Sequence, residues 1–159
     1  MGRFVNSGNS AFQVALNSQI YVDKTGMIAY INRVLGTMEG YICNSRPRRF
    51  GKSMAADMLS AYYSCGEDSS TLFEGLAISH APSYREHLNQ YNVVKVNMQD
   101  FLSMTHSVEE MLAMLQKYIA FDLLEAFEQV RFRDENNLIQ VMKDIYAKTG
   151  SSFVILIDE

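Results

Sequence analysis

The sequence predicts an α/β domain built on a parallel sheet. Apolar runs at 41–45, 93–97 and 153–157 have the length and composition of strands, and helical patterns lie between them. Parallel strands must be joined by crossover connections, which are usually helices. Strands interleaved with helices are therefore typical of a parallel sheet covered by helices.

The length and the charge of the chain narrow the possible classes of function. The 159 residues are enough for one hydrophobic core. The net charge of -4 argues against a general nucleic-acid binder. Four basic residues are nonetheless concentrated in one short stretch, namely Arg46, Arg48, Arg49 and Lys52. Such a local cluster suits a phosphate ligand better than a long polyanion.

The two cysteines and the apolar segments predict a cytoplasmic protein. Cys43 and Cys65 have no metal-ligand spacing around them and are expected to be reduced. The first residues contain no apolar signal core. No apolar run approaches the ~20 residues that a membrane-spanning helix needs.

The first third of the chain predicts a helix between two less regular segments. Residues 1–19 show weak periodicity and are left without an assigned conformation, whereas 20–159 are predicted to form the domain. A short strand or extended segment is expected at 20–22. Asp23 or Thr25 can then cap a helix at 27–35, which Gly36 ends.

Helical spacing also predicts two elements in the middle of the chain. Met54, Met58 and Tyr62 lie on one face of a helix from about 52 to 64, and Gly66 is the expected C-terminal cap. Residues 66–82 are predicted to be a loop with a short apolar insert. Pro82 can start a short helix that extends to about Asn89.

Two further helices and an apolar strand are predicted towards the C-terminus. A helix at 108–130 follows the i, i+3, i+4 pattern, and Ser107 with Glu110 forms a capping box. A helix at 135–149 has Lys148 in its last turn and Gly150 just beyond. The strand at 153–157 lacks alternation, which is expected of a strand covered on both faces.

The segment between the first predicted strand and its helix fits a phosphate-binding loop. In the general pattern G-x-x-x-x-G-K-[ST], Gly51, Lys52 and Ser53 fit, while Arg46 replaces the first glycine. Glycine lets backbone N–H groups approach phosphates, lysine supplies a charge for the β and γ phosphates, and the serine hydroxyl is a ligand for Mg²⁺. The alternative is a basic surface turn before an amphipathic helix.

Two carboxylates follow the last apolar run. Asp158 is a candidate ligand for Mg²⁺, and Glu159 is a candidate catalytic base that orients and deprotonates an attacking water. The alternative for this pair is an ordinary polar strand end. Both signals occur in the order expected of a nucleotide triphosphatase, so together they favour that hypothesis.

Three segments resemble one protein family. They are the stretches Y-V-D-K-T at 21–25, R-P-R-R-F-G-K-S at 46–53 and L-F-E-G-L at 72–76. With L-I-D-E at 156–159, they are similar to the AAA-ATPase-like domain family of bacterial and archaeal proteins. In that family an arginine occupies the position of Arg46. The resemblance covers about 20–159.

The resemblance implies a P-loop NTPase of the AAA-like branch, a three-layer sandwich with a parallel sheet, truncated here at the Walker B strand. It implies ATP and Mg²⁺ as ligands, with Ser53 and Asp158 on the metal and Glu159 as the catalytic residue. The implied nucleotide-binding residues are Arg46, Pro47, Arg48, Arg49, Phe50, Gly51, Lys52 and Ser53. Many relatives continue into a PD-(D/E)XK nuclease-like domain, through which nucleic acid would be a partner.

Three functional hypotheses remain open at this point. The first is ATP binding, with Mg²⁺-dependent hydrolysis in a longer parent protein and weak or absent turnover in this chain. The second is a nucleotide-binding or interaction module without hydrolysis, which self-associates or binds a partner chain. The third is a nucleic-acid binder that uses the arginine-rich loop. The segment 23–25 either touches the loop or nucleotide, or serves as a helix cap with a surface ion pair.

Overall fold

The structure is a computed structural model that describes residues 2–45, 47 and 49–158. These residues form two compact units. The helical unit is Gly8–Gln90, and the sheet unit comprises the described residues on either side of it in the sequence. Each unit has buried apolar residues of its own.

The helical unit consists of short helices joined by turns. Its elements are α1 (Ser10–Leu16), α2 (Gly26–Val34), α3 (Lys52–Tyr63), α4 (Ser70–Phe73), a 3₁₀ turn (Ala77–His80) and α5 (Tyr84–His87). Helix α1 accounts for part of the N-terminal segment whose conformation the sequence left unassigned. Helices α2 and α3 lie close to their predicted positions, and Gly36 follows α2 with a φ of 74°.

Aromatic side chains fill the core of the helical unit. The ring of Phe73 stacks on Phe12 at 5.0 Å between centroids and meets Tyr62 edge-on at 5.4 Å. Tyr62 also packs edge-on against Tyr63 at 4.9 Å. All four rings are completely buried. The predicted apolar insert at 72–76 contributes to this core, because its residue Phe73 is one of the buried rings.

Both ends of the helical unit are bonded to one buried serine. The Asn9 side-chain amide donates to the Ser69 hydroxyl at 3.0 Å. The Ser69 N–H donates to the Asn89 side-chain oxygen at 3.1 Å. Asn89 adopts a left-handed conformation with a φ of 57°, which asparagine tolerates better than most residues. Ser69 therefore holds the first and last residues of this unit next to each other.

The sheet unit contains two parallel strands and three helices. Its elements are β1 (Asn92–Asn97), α6 (Met98–Leu102), α7 (Val108–Ala126), α8 (Leu138–Thr149) and β2 (Phe153–Asp158). Strands β1 and β2 pair in parallel with Asn92 opposite Phe153 and Asn97 opposite Asp158. The parallel pairing of the two later predicted strands is thereby confirmed.

The N-terminal residues lie along the other edge of β1. Val5 forms an antiparallel bridge with Val94, and the Lys95 N–H donates to the Phe4 carbonyl at 2.8 Å. The Phe4 N–H donates to the carboxylate of Asp122, a buried residue of α7, at 2.6 Å. A chain segment far from β1 in sequence thus completes the core of the sheet unit.

The predicted helix ends in the sheet unit are partly confirmed. The Ser107 hydroxyl accepts from the Glu110 N–H at 3.1 Å, whereas the Glu110 carboxylate accepts from His106 instead of Ser107. Gly150 ends α8 in the left-handed conformation, as predicted. Helix α7 ends at Ala126, before the predicted 130, and α8 begins at Leu138 instead of 135. The Asn137 side chain caps α8 by accepting from the Gln140 N–H, which explains the later start.

Three predictions about strands and caps are wrong. Residues 41–45 are irregular, and Tyr41 is almost fully exposed, because an apolar run becomes a strand only where it finds a hydrogen-bonding partner. Strand β2 is not covered on both faces, since Ile155 is 56% and Ile157 is 69% exposed. Helix α3 ends at Tyr63 with Ser64 in an extended conformation, so Gly66 is not its cap. For residues 20–22, where a short strand or an extended segment was expected, the structure shows no strand.

Within residues 2–45, 47 and 49–158, no helix combines the length and the apolar composition that a membrane span requires.

Candidate functional site

The start of α3 is the centre of the candidate site. Gly51 is the N-cap residue and has a left-handed backbone with φ 73° and ψ 38°. The first helical bond runs from the Ala55 N–H to the Gly51 carbonyl at 3.0 Å. The N–H groups of 52–54 consequently lie outside the helical ladder and point along the helix axis towards the loop. Such an end attracts anions, because the helix dipole places partial positive charge there and the first N–H groups point towards it.

Arg49 and Phe50, directly before Gly51, lie in a turn and a bend with their side chains exposed. Arg49 has a φ of 69°, an uncommon conformation for a residue other than glycine. Pro47, Arg49 and Phe50 are exposed, and Phe50 shows 60% of its surface. Arg46 and Arg48 lie outside the described residues, so their predicted roles stay predictions.

The two remaining predicted loop residues begin α3. Lys52 is half-buried and Ser53 is exposed. Neither is accompanied by an acidic residue in the first turn of the helix. The turn therefore offers a positive charge, a hydroxyl and several N–H donors without a nearby carboxylate in that turn to repel an anion.

A lysine from a distant segment contacts this turn. The Lys24 Nζ donates to the Phe50 carbonyl oxygen at 2.6 Å. The same nitrogen lies 2.8 Å from the position that a Cβ on Gly51 would occupy. Two hypotheses were open for residues 23–25. For Lys24, the structure shows the first of them, contact with the loop.

The neighbours of Lys24 are tied to the 3₁₀ turn. One oxygen of Asp23 accepts from the N–H and the hydroxyl of Thr25, and the other accepts from the Ala77 N–H at 2.7 Å. The buried Thr25 hydroxyl accepts from the Ile78 N–H at 3.1 Å. Thr25 is the N-cap residue of α2, yet its side chain makes no cap hydrogen bond. Asp23 and Thr25 thus connect chain segments within the helical unit instead of capping α2.

We predict that Asp23 makes the helical unit sensitive to acid. Burial acts to raise the pKa of Asp23, but the hydrogen bonds from Thr25 and Ala77 lower it, and the pKa lies below the usual value. A carboxylate of this kind stabilises the fold above its unfolded pKa of about 4, and the stabilisation is lost as the pH falls through the folded pKa. The Tm of the wild type should therefore fall more steeply below about pH 5 than that of Asp23→Asn.

The measurement for Asp23 is thermal unfolding followed by circular dichroism across this acidic range. Glu86→Gln, a change at an exposed carboxylate of the same unit, is the matched control and should retain the wild-type profile. Parallel curves for Asp23→Asn and the wild type would contradict the prediction.

The predicted acidic residue of the strand end belongs to the sheet unit. Asp158 is the last residue of β2, is half-buried and pairs in register with Asn97. The Asn97 side chain accepts from the Gln99 N–H at 3.0 Å and so caps α6. Both residues lie at the carboxyl end of parallel strands, where ligands bind in α/β sheets. Glu159 lies outside the described residues.

The described residues contain no cluster of side chains that would form a protein metal cage. Over the part of the chain that the structure describes, no three side chains of histidine, cysteine, aspartate or glutamate come together to hold a metal ion. Mg²⁺ in nucleotide sites needs no such cage, because it is held by one or two carboxylates with phosphate and water oxygens. Ser53 and Asp158 carry donors of the required kind.

Two contacts at the candidate site could not be predicted in full from sequence. The N–H groups of Ala77 and Ile78 donate to Asp23 and Thr25, but nearly every residue carries a backbone N–H, so such a donor leaves no pattern in the sequence. For Lys24, contact with the loop was one of two hypotheses, but its acceptor was not identified, since any residue at position 50 would present the same carbonyl oxygen. Only the shared resemblance of 21–25, 46–53 and 72–76 to one family indicated that these segments belong together.

Comparison with known proteins gave one match. A family model described as "Predicted AAA-ATPase" matches residues 8–159. Neither the curated proteins nor the solved structures gave a match to this chain. The matched range includes the loop, the 3₁₀ turn and both strands, and the family's description is consistent with nucleotide binding.

Proposed function

The chain belongs to the predicted AAA-ATPase family, and from this premise we propose that it binds ATP through the loop 46–53. The observation that carries the proposal is the left-handed Gly51 directly before α3. This conformation turns the chain so that Lys52 and Ser53 begin a helix at the edge of a basic loop. A phosphate group placed there meets backbone donors, the lysine charge and the helix dipole together.

We also propose that the Ser53 hydroxyl of the helical unit and the Asp158 carboxylate of the sheet unit are each able to bind Mg²⁺, and that Glu159 activates water. The serine hydroxyl and the aspartate carboxylate are oxygen ligands, which Mg²⁺ prefers. When bound, the ion neutralises charge on the phosphate oxygens. We also propose that the sheet of β1 and β2 is part of a P-loop sandwich. The support is the family membership and the position of Asp158 at a strand end.

Thermal stability with and without Mg-ATP tests the proposal. A ligand at 100 times its Kd stabilises the folded state by about 2.7 kcal/mol, so the wild-type Tm should rise measurably. Lys52→Ala should abolish most of this rise, because it removes the charge that the phosphates would meet. Lys143→Ala, at an exposed lysine of α8, is the control and should keep the full shift.

Two results would refute the proposal in different ways. An equal Mg-ATP shift in the wild type and in Lys52→Ala would mean that nucleotide binds elsewhere. No shift in the wild type at millimolar Mg-ATP would mean that the loop does not bind nucleotide. Titration of the chain with a short DNA duplex at several salt concentrations tests the nucleic-acid hypothesis. That hypothesis requires an affinity for DNA that falls steeply as the salt concentration rises and that does not change when ATP is added.

A further inference from the structure

We propose that Lys24 is a positioning residue of the phosphate-binding loop, which it holds by donating to the Phe50 carbonyl; this inference rests on the proposed function. The donor and acceptor are 2.6 Å apart, a short distance typical of a hydrogen bond with a charged donor. The ligand that we propose for this loop is a nucleoside polyphosphate.

The contact determines which way the next peptide N–H points. The peptide between Phe50 and Gly51 is planar and trans, so its carbonyl oxygen and its N–H point in opposite directions. With the Phe50 oxygen directed at Lys24, the Gly51 N–H is directed away from the lysine. Without the lysine, this peptide could rotate, because Gly51 has few conformational restrictions.

The strand that the sequence predicted before the loop is not formed in the described residues. Residues 41–45 are irregular and exposed, so their backbone is not held in a sheet, and the contact with Lys24 is the support that we infer for the loop. Lys24, in contrast, lies between Asp23 and Thr25, which are bonded to the backbone of Ala77 and Ile78. The tether thus runs from the 3₁₀ turn through 23–25 to the loop.

The lysine also fills space that a side chain on residue 51 would require. Its Nζ lies 2.8 Å from the ideal Cβ position of Gly51, closer than real Cβ contacts allow. Lys24 therefore occupies one side of the loop, and the N–H of Gly51 is left on the other. This arrangement distinguishes a positioning lysine from Lys52, which begins the helix itself.

Two measurements on Lys24→Met test the inference. Backbone ¹H–¹⁵N spectra without nucleotide should show a displaced Gly51 amide resonance, since the Phe50–Gly51 peptide loses its anchor. The affinities for Mg-ATP and Mg-ADP should both fall about tenfold, as expected for one hydrogen bond to a charged group. Lys24→Arg retains a charged donor and should restore most of both properties. Lys143→Met is the control lysine and should resemble the wild type.

The outcomes separate this inference from the proposed function. An unchanged Gly51 resonance together with wild-type affinity in Lys24→Met overturns the positioning role. Loss of affinity for ATP but not for ADP also overturns it, because it would make Lys24 a direct ligand of the γ-phosphate. If the wild type binds no nucleotide, the proposed function fails. The positioning role of Lys24 is then tested by the Gly51 amide resonance alone: a displaced resonance in Lys24→Met supports the role, and an unchanged one overturns it. Lys24→Gln replaces Lys24→Met if the latter does not fold.

Discussion

Replacing Tyr62 by alanine is expected to destabilise the chain by about 3–5 kcal/mol, as large-to-small changes in a packed aromatic core do. The ring is completely buried and contacts Tyr63, Phe73 and Tyr84. Its hydroxyl donates to the Tyr84 carbonyl at 2.7 Å and accepts from the Asn32 amide at 3.1 Å. The substitution removes the ring and both of these hydrogen bonds, and of the two partners the Asn32 amide retains its bond to the Ser83 hydroxyl.

Equilibrium unfolding in urea measures this effect, and two further variants divide it into parts. Tyr62→Phe keeps the ring and should cost about 1–2 kcal/mol through the lost hydrogen bonds. Tyr30→Ala, at a half-exposed tyrosine of α2, should cost no more than about 1 kcal/mol. A Tyr62→Ala variant no less stable than Tyr30→Ala would contradict the assignment of Tyr62 to the core.

Replacing Gly51 by valine is expected to lower the affinity for Mg-ATP by about 100-fold or more, which corresponds to at least about 2.7 kcal/mol. A β-branched residue with a φ of 73° is strained by about 1–3 kcal/mol. The added Cβ would also lie 2.8 Å from the Lys24 Nζ, so this flexible side chain would have to shift and its contact with the loop would be disturbed. The loop should relieve the backbone strain by leaving its present conformation, and the phosphate-binding geometry would be lost with it.

Gly36→Val is the matched control for this experiment. Gly36 has a similar φ of 74°, but a Cβ there would meet no atom within 4 Å. Both variants should therefore lose a comparable amount of stability in thermal unfolding, while only Gly51→Val should lose nucleotide affinity in titration calorimetry. Equal affinities in the two variants would show that the conformation of Gly51 does not matter for binding.

The elements that the sequence predicted best are those whose signals are local. Helix α8 ends at the predicted Gly150, and α3 begins at Lys52 directly after Gly51. Strands β1 and β2 were also predicted within one residue of their bounds. In each case the residues near the boundary carry the physical cause, such as a left-handed glycine or a dense run of β-branched residues.

The predictions that depend on distant parts of the chain were less successful. The segment 41–45 begins with apolar residues and was predicted to be a strand. Amino-acid composition, however, does not reveal whether another strand is available to pair with it. The exposure of Ile155 and Ile157 depends in the same way on what covers β2. The contact of Lys24 shows the same limit at the candidate site, because its acceptor, the Phe50 carbonyl, lies 26 residues away in sequence.

The hydrogen bonds of Ser69 have a consequence for the order in which the chain folds. The sheet unit is discontinuous, and the Val93 N–H bonds to the Asn6 side chain across 87 positions of sequence. Closing a loop of that length in an unfolded chain costs entropy, which rises by about 0.6 kcal/mol for each doubling of length. Once the helical unit has folded, Ser69 holds Asn9 and Asn89 together and the remaining loop is short. We therefore expect early formation of the helical unit to accelerate the docking of the N-terminal residues on β1.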